Sequence, residues 1–288
     1  MTAQYRTFFG LSREPFHSDL NLKEILKTPA LSAVQDRFDY TVRLGGIALV
    51  TGEVGSGKST ALRYVAATLH PSEYRSIPIT ATPGSILELY RLILAELRIE
   101  KTSSSRAILT RLIQKEIRDL YEGKKIKPVL IIDEASLLRL EVFAELHTLT
   151  QFDQDSKPYL PIILAGQSPL IDQLIFRTSH PLASRILARF HLKGVSRKEM
   201  EEYLTHHLFL AGLKTNPFDD AAVTAVLQGS GGLFRKANHL ARGALIAAAV
   251  QHSLFVTAEH VRLAATEIAA SGFFMGTPNM LWLLRFES

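Results

Sequence analysis

Between a short apolar run and a helix-forming stretch lies Gly52-Glu53-Val54-Gly55-Ser56-Gly57-Lys58-Ser59, a segment of the form G-x-x-x-x-G-K-[ST]. Ile47 to Thr51 reads as a buried strand and Ser59 to Leu69 as a helix, which sets the glycines at a strand-to-helix turn. Small residues there let consecutive backbone N–H groups converge, and the following helix contributes the positive end of its dipole. The loop Gly52, Glu53, Val54, Gly55, Ser56, Gly57, Lys58, Ser59 and Thr60 therefore reads as an anion cradle. In such a cradle Lys58 reaches the β and γ oxygens of a nucleoside triphosphate and Ser59 ligates magnesium.

A second element, Pro128-Val129-Leu130-Ile131-Ile132-Asp133-Glu134-Ala135, is a continuous apolar run closed by two carboxylates. That pattern suits a central parallel strand ending at a ligand crevice. Asp133 is placed to hold the magnesium through water, and Glu134 to orient and polarise the water that attacks the γ-phosphate. The two motifs together predict ATP and Mg2+ as ligands and ATP hydrolysis as the reaction.

Around these motifs strands and helices alternate. Arg75 to Ala81 reads as a strand, Ser85 to Leu97 and Ser104 to Tyr121 as helices, and Val129 to Asp133 as a strand. A helix over Leu140 to Phe152, a strand over Leu160 to Gly166 and a last strand at Arg189 to Leu192 complete a parallel α/β sheet with crossover helices on both faces. Beyond residue 194 the pattern is wholly helical: Ser196 to Ala211, Asp219 to Leu227, Leu233 to Val250 and Thr257 to Ala270. Ser196 with Glu199 forms a capping box, while Gly212 and Gly229-Ser230-Gly231-Gly232 supply stops. The expected division is 1–44 as a segment packing on the core, 45–194 as the α/β core, 195–270 as a helical lid and 271–288 as an apolar tail. Phe273, Phe274, Met275, Leu281, Trp282, Leu283, Leu284 and Phe286 make that tail too apolar for a solvated extension.

The chain has 288 residues and no cysteine, which excludes disulfides, thiolate zinc sites and cysteine nucleophiles and fits a reducing cytoplasm. No apolar stretch reaches the roughly 18 residues needed to span a bilayer, and the N-terminus lacks a signal-peptide core. A formal charge of +5 permits an electrostatic contribution to nucleic-acid binding without demanding one. Lys124-Lys125-Ile126-Lys127 reads as a solvated turn that could also meet DNA phosphate, and His206-His207 is not spaced as a helical metal pair.

Five features give the chain a resemblance to the ExeA-type AAA+ ATPases: Phe9-Gly10-Leu11 with Pro15-Phe16, the phosphate loop, Ile132-Asp133-Glu134-Ala135, Leu164-Ala165-Gly166-Gln167, and Gly231-Gly232 before Arg235. They cover residues from about 5 to 270, and the family also includes ATPases encoded beside transposases, similar in role to MuB, IstB and TnsC. The resemblance implies a P-loop AAA+ core followed by a helical lid. It assigns Gln167 as a polar sensor of the γ-phosphate or attacking water, and Arg185 or Arg189, with Arg185 favoured, as a finger reaching a neighbour's nucleotide. Arg235 becomes the lid's own sensor arginine, although Phe234 stands where the family usually has proline.

Three functions of different classes follow. The first is a cytoplasmic ATPase that forms a homo-oligomeric ring or filament on double-stranded DNA and recruits or activates a transposase. The second is a secretion ATPase of the ExeA kind, placed behind the first because no membrane span or periplasmic domain is recognisable in the sequence. The third is a slow nucleotide-dependent signalling switch.

Overall fold

The computed structural model describes residues 2–100 and 103–270; the tail expected at 271–288 lies outside the described residues. Contacts divide the chain into two compact units, one formed by Pro29–Glu53 with Lys58–Leu192, the other by residues up to Thr28, Val54–Gly57 and the chain from Lys193 onward.

In chain order the helices and strands are α1 (Thr2–Phe9), α2 (Pro29–Leu44), β1 (Ile47–Gly52), α3 (Lys58–Thr68), β2 (Tyr74–Thr80), α4 (Ile86–Glu96), α5 (Arg106–Arg118), β3 (Lys127–Asp133), α6 (Leu140–Leu149), β4 (Ile162–Gly166), α7 (Pro169–Ile175), α8 (His180–Ala183), β5 (Ile186–Leu192), α9 (Arg197–Leu210), α10 (Asp220–Ser230), α11 (Phe234–Val250) and α12 (Ala258–Ala270). The first unit is a five-stranded sheet in the order β2-β3-β4-β1-β5, parallel at every pairing. Every residue of β1 and β4 is buried, as continuous apolar runs covered on both faces require. The edge strand β5 alternates half-buried and exposed positions up to the buried Leu192, which is why only its Arg189–Leu192 end is recognisable in the sequence. The core under the sheet gathers Tyr90, Ile93, Leu109, Ile113, Phe143 and Phe152 from α4, α5, α6 and the loop after α6.

Several boundaries differ from the sequence reading. The expected helix to Tyr121 is α5 followed by a wider π turn over Asp119–Gly123. The helix expected to reach Phe152 stops at Leu149, and Asp153, Gln154 and Asp155 after it all have positive φ, at 48°, 56° and 71°.

The second unit is helical. Ser196 accepts from the Glu199 N–H and Glu199 returns to the Ser196 N–H at 2.8 Å, the capping box expected there. Gly212 (φ +103°) and Gly231 (φ +62°) follow α9 and α10 in left-handed conformations that a Cβ would strain. Ala237, Ala241, Ala244 and Ala248 recur along the buried face of α11 and let α12 approach closely. A Cβ built on Gly243 would lie 2.7 Å from the Ala264 Cβ. Gly243→Val is therefore expected to destabilise this unit by about 1–3 kcal/mol through overpacking, read by denaturant unfolding.

The N-terminal segment expected as one piece over 1–44 is split. Residue 29 onward, as α2, joins the α/β unit, whereas the stretch before it belongs to the helical unit. Tyr5, Phe9, Leu11 and Phe16 are buried there among Met200, Leu204 and Leu208. The physical cause lies at the end of α9, where the last carbonyls have no helical partner. The Ser12 N–H donates to the Ala211 carbonyl at 2.8 Å, and Arg13 Nε donates to the Leu210 carbonyl at 2.9 Å. Glu14 then pairs with Arg242 of α11 at 3.1 Å.

Candidate functional site

Three neighbouring strands, β3, β4 and β1, end at one edge of the sheet, and each delivers a different group there. β1 runs into the glycine loop, β3 into Asp133 and Glu134, and β4 into Gln167. Parallel strands place all these C-terminal ends in one crevice.

Within the loop Gly55 and Gly57 have φ of +85° and +95°, conformations that residues with side chains rarely take. A Cβ on Gly55 would lie 2.7 Å from Arg235 Cβ, and one on Gly57 3.3 Å from the Phe234 ring. The Arg235 N–H donates to the Gly55 carbonyl at 3.3 Å, so the start of α11 seats the loop. Phe234, the departure from the family's proline, fills that seat with its ring. Lys58 is buried, and its Nζ donates to the carbonyls of Gly52 and Glu53 at 2.8 and 3.0 Å. The buried Ser56 hydroxyl has no partner among the described residues. An ammonium held at the loop, an orphaned hydroxyl and two positive-φ glycines fit a polyphosphate.

Ser59 and Asp133 line one cavity of about 450 Å³, walled by Leu62, Arg63, Ser76 and Thr80. Among the described residues no group of three or more His, Asp and Glu could by itself hold a metal ion. A metal here would rest on the hard oxygens of Ser59 and Asp133 together with phosphate, a donor set that suits Mg2+. Asp133 Oδ1 accepts the Glu134 N–H at 2.8 Å. Glu134 itself is left-handed, with φ 53° and ψ 32°, and its carboxylate makes no ion pair among the described residues. The Gln167 N–H donates to Ser136 Oγ at 3.4 Å and the Gln167 carbonyl accepts from the N–H of Leu170 in the first turn of α7.

Arg185 is not brought to this edge. It immediately precedes β5, and its carbonyl accepts the N–H of Ile47, the first residue of β1. It thus stands at the opposite edge of the sheet, about 20 Å from the glycine loop for a six-residue strand. Its guanidinium pairs with Asp155. Arg189 is exposed along β5, and its carbonyl accepts from Arg37 at 3.1 Å. Thr60 is exposed on the first turn of α3.

The basic turn before β3 also lies at the far edge. Lys124 pairs with Glu116 at 3.8 Å. Lys127 donates to the Arg43 carbonyl at 3.0 Å, and burial lowers its amine's proton affinity. Lys124 and Lys125 are both exposed. His207 stacks on Phe16 at 5.6 Å between centroids and burial pushes its imidazole down to about pKa 3, whereas His206 Nε2 bonds the Glu24 carbonyl at 2.6 Å, so the two serve different contacts.

Residues 42–174 match the AAA domain family. Among solved structures, Cdc6p from Pyrobaculum aerophilum superposes with a TM-score of 0.69 at 16% identity, over 88% of this chain and 70% of that one. The Aeropyrum pernix ORC1 protein in complex with DNA gives 0.62 at 18% identity, over 88% and 68%. This is the AAA+ P-loop fold. General secretion pathway protein A of Aeromonas hydrophila is 30% identical over 268 residues, 92% of this chain. The chain spans 48% of that relative's length. Among the described residues no helix is long and apolar enough to cross a membrane.

Sequence reasoning missed Ser136 and Gln173. Gln173 Nε2 donates to the carbonyls of Ser136 and Leu138 at 3.2 and 3.3 Å, joining α7 to the turn after Glu134. No spacing rule marks a glutamine 39 residues downstream of its site, so only the fold reveals it.

Proposed function

We propose that this AAA+ chain binds and hydrolyses ATP with Mg2+ and that it works as a homo-oligomer. The observation that carries the proposal is the convergence of the glycine loop, Asp133, Glu134 and Gln167 on the ends of three adjacent parallel strands. The loop amides and Lys58 grip the phosphates, and Ser59 and Asp133 hold the metal, which when bound neutralises charge on the transferring phosphoryl group. Glu134 takes the proton of the attacking water, Gln167 reads the γ-phosphate through an amide that both donates and accepts, and Arg235 links the loop to α11. Arg185, at the wrong edge to serve its own loop, acts in trans on a neighbour's nucleotide, which makes turnover depend on assembly.

The output we propose is ATP-dependent assembly on double-stranded DNA with a transposase as partner, supported by a net charge of +5 and a pI near 9.4. A secretion ATPase is the second reading, favoured by the 30% identity to general secretion pathway protein A. One experiment separates them. With Mg2+-ATP at low salt, the purified chain is expected to form oligomers on duplex DNA in negative-stain images, and its DNA affinity to fall steeply as salt rises. Oligomers that ignore DNA would reject the DNA-helper reading and leave the secretion reading standing.

A further inference from the structure

Glu134 has a conformation that a residue with a side chain keeps only where its surroundings over-determine it. Those surroundings are visible. On the upstream side Asp133 Oδ1 holds the Glu134 N–H. On the downstream side a single 3-10 turn, Ala135–Leu137, begins at once, with the Leu137 N–H donating to the Glu134 carbonyl at 2.9 Å. Ala135 is fully buried, so the turn cannot swing outward without exposing it.

The turn is fastened from across the sheet edge. Gly166, at the end of β4, approaches so closely that a Cβ there would lie 2.9 Å from the Ser136 nitrogen. The Ser136 hydroxyl accepts from Gln167, and the two amide hydrogens of Gln173 go to the Ser136 and Leu138 carbonyls on either side of Leu137. A primary amide with both hydrogens on adjacent-turn carbonyls fixes the turn's position and its rotation, because two bonds define an orientation where one defines a pivot. Gln173 belongs to α7, which starts at the Gln167 carbonyl, so one short helix carries both the fastening and the start of the sensor segment.

We propose that Gln173 is a positioning residue for hydrolysis: it acts through the 135–138 turn to aim the Glu134 carboxylate and to keep Glu134 and Gln167 in fixed relation. It touches no reacting atom. The proposal rests on the hydrolytic reading of Glu134 given above. Its chemistry predicts a defect confined to the chemical step, because the glycine loop and Lys58 are fastened by other contacts.

The test compares the 288-residue chain as wild type, Gln173→Leu, Gln173→Lys and Glu134→Gln for ATP turnover at saturation, for equilibrium affinity toward a fluorescent ATP analogue with Mg2+, and for thermal unfolding. Gln173→Leu, which keeps the bulk and removes both donors, is expected to lower kcat about 10-fold to 100-fold with affinity within about twofold of wild type. Gln173→Lys restores donors at similar reach and is expected to recover kcat to within about threefold. An unchanged kcat in Gln173→Leu, or affinity falling in step with kcat, would overturn the assignment, as would failure of lysine to rescue. Should Gln173→Leu not fold, Gln173→Glu, which keeps the length without donors when ionised, takes its place against the lysine variant. Loss of turnover in Glu134→Gln alone defeats the role of Gln173; full turnover in Glu134→Gln defeats the reading beneath it.

Discussion

Glu134→Gln is expected to cut ATP turnover by about 100-fold or more while leaving ATP affinity near that of wild type, since removing a general base costs roughly 10²–10⁴. Glutamine keeps the volume and the left-handed backbone that Glu134 already occupies. It cannot take a proton. The oligomer formed with ATP should then persist, because the ligand that favours the assembled state is no longer consumed. Light scattering after size exclusion should show wild type returning to smaller species as ATP is spent and the variant remaining assembled. Wild-type turnover in the variant would remove Glu134 from the chemistry and, with it, the account of Gln173.

Lys58→Ala is expected to fail earlier, at binding. Its Nζ now donates to two loop carbonyls, at 2.8 Å to Gly52 and 3.0 Å to Glu53, which places the only ammonium of the loop inside it. Bonds from a charged donor contribute about 1.5–3 kcal/mol each, so losing its phosphate contacts should weaken ATP affinity by about 100-fold or more. Titration with the fluorescent analogue reads this directly. The two variants make a pair with opposite signatures: one binds and does not turn over, the other does not bind. Affinity unchanged in Lys58→Ala would show that the glycine loop does not hold the triphosphate.

The elements legible in advance share one property, that their signal is local. Gly55 and Gly57 mark their own positive φ, the apolar runs of β1, β3 and β4 announce strands covered on both faces, and Ser196 with Glu199 announces the start of α9. The edge strand β5 was half legible because one of its faces is exposed and the other only half-buried until Leu192. The π turn after α5 and the left-handed run at Asp153 to Asp155 were not, since no glycine or proline lies within Asp153 to Asp155 and the nearby ion pairs, Arg118 with Asp153 and Arg185 with Asp155, join residues 35 and 30 positions apart.

What the amino-acid order determined by itself was the glycine loop, the acidic end of β3, the parallel α/β class and the switch to helices near residue 194, all set by periodicity and by residue types whose backbone preferences act within a few positions. Tertiary structure alone decided that the first 28 residues belong with the helices, through a bond from Ser12 to Ala211 across 199 positions. It alone placed Arg185 at the far edge of the sheet and set Gln173 against the turn that carries Glu134. These are matters of which strand lies beside which and in what direction it runs, and no short-range preference encodes them.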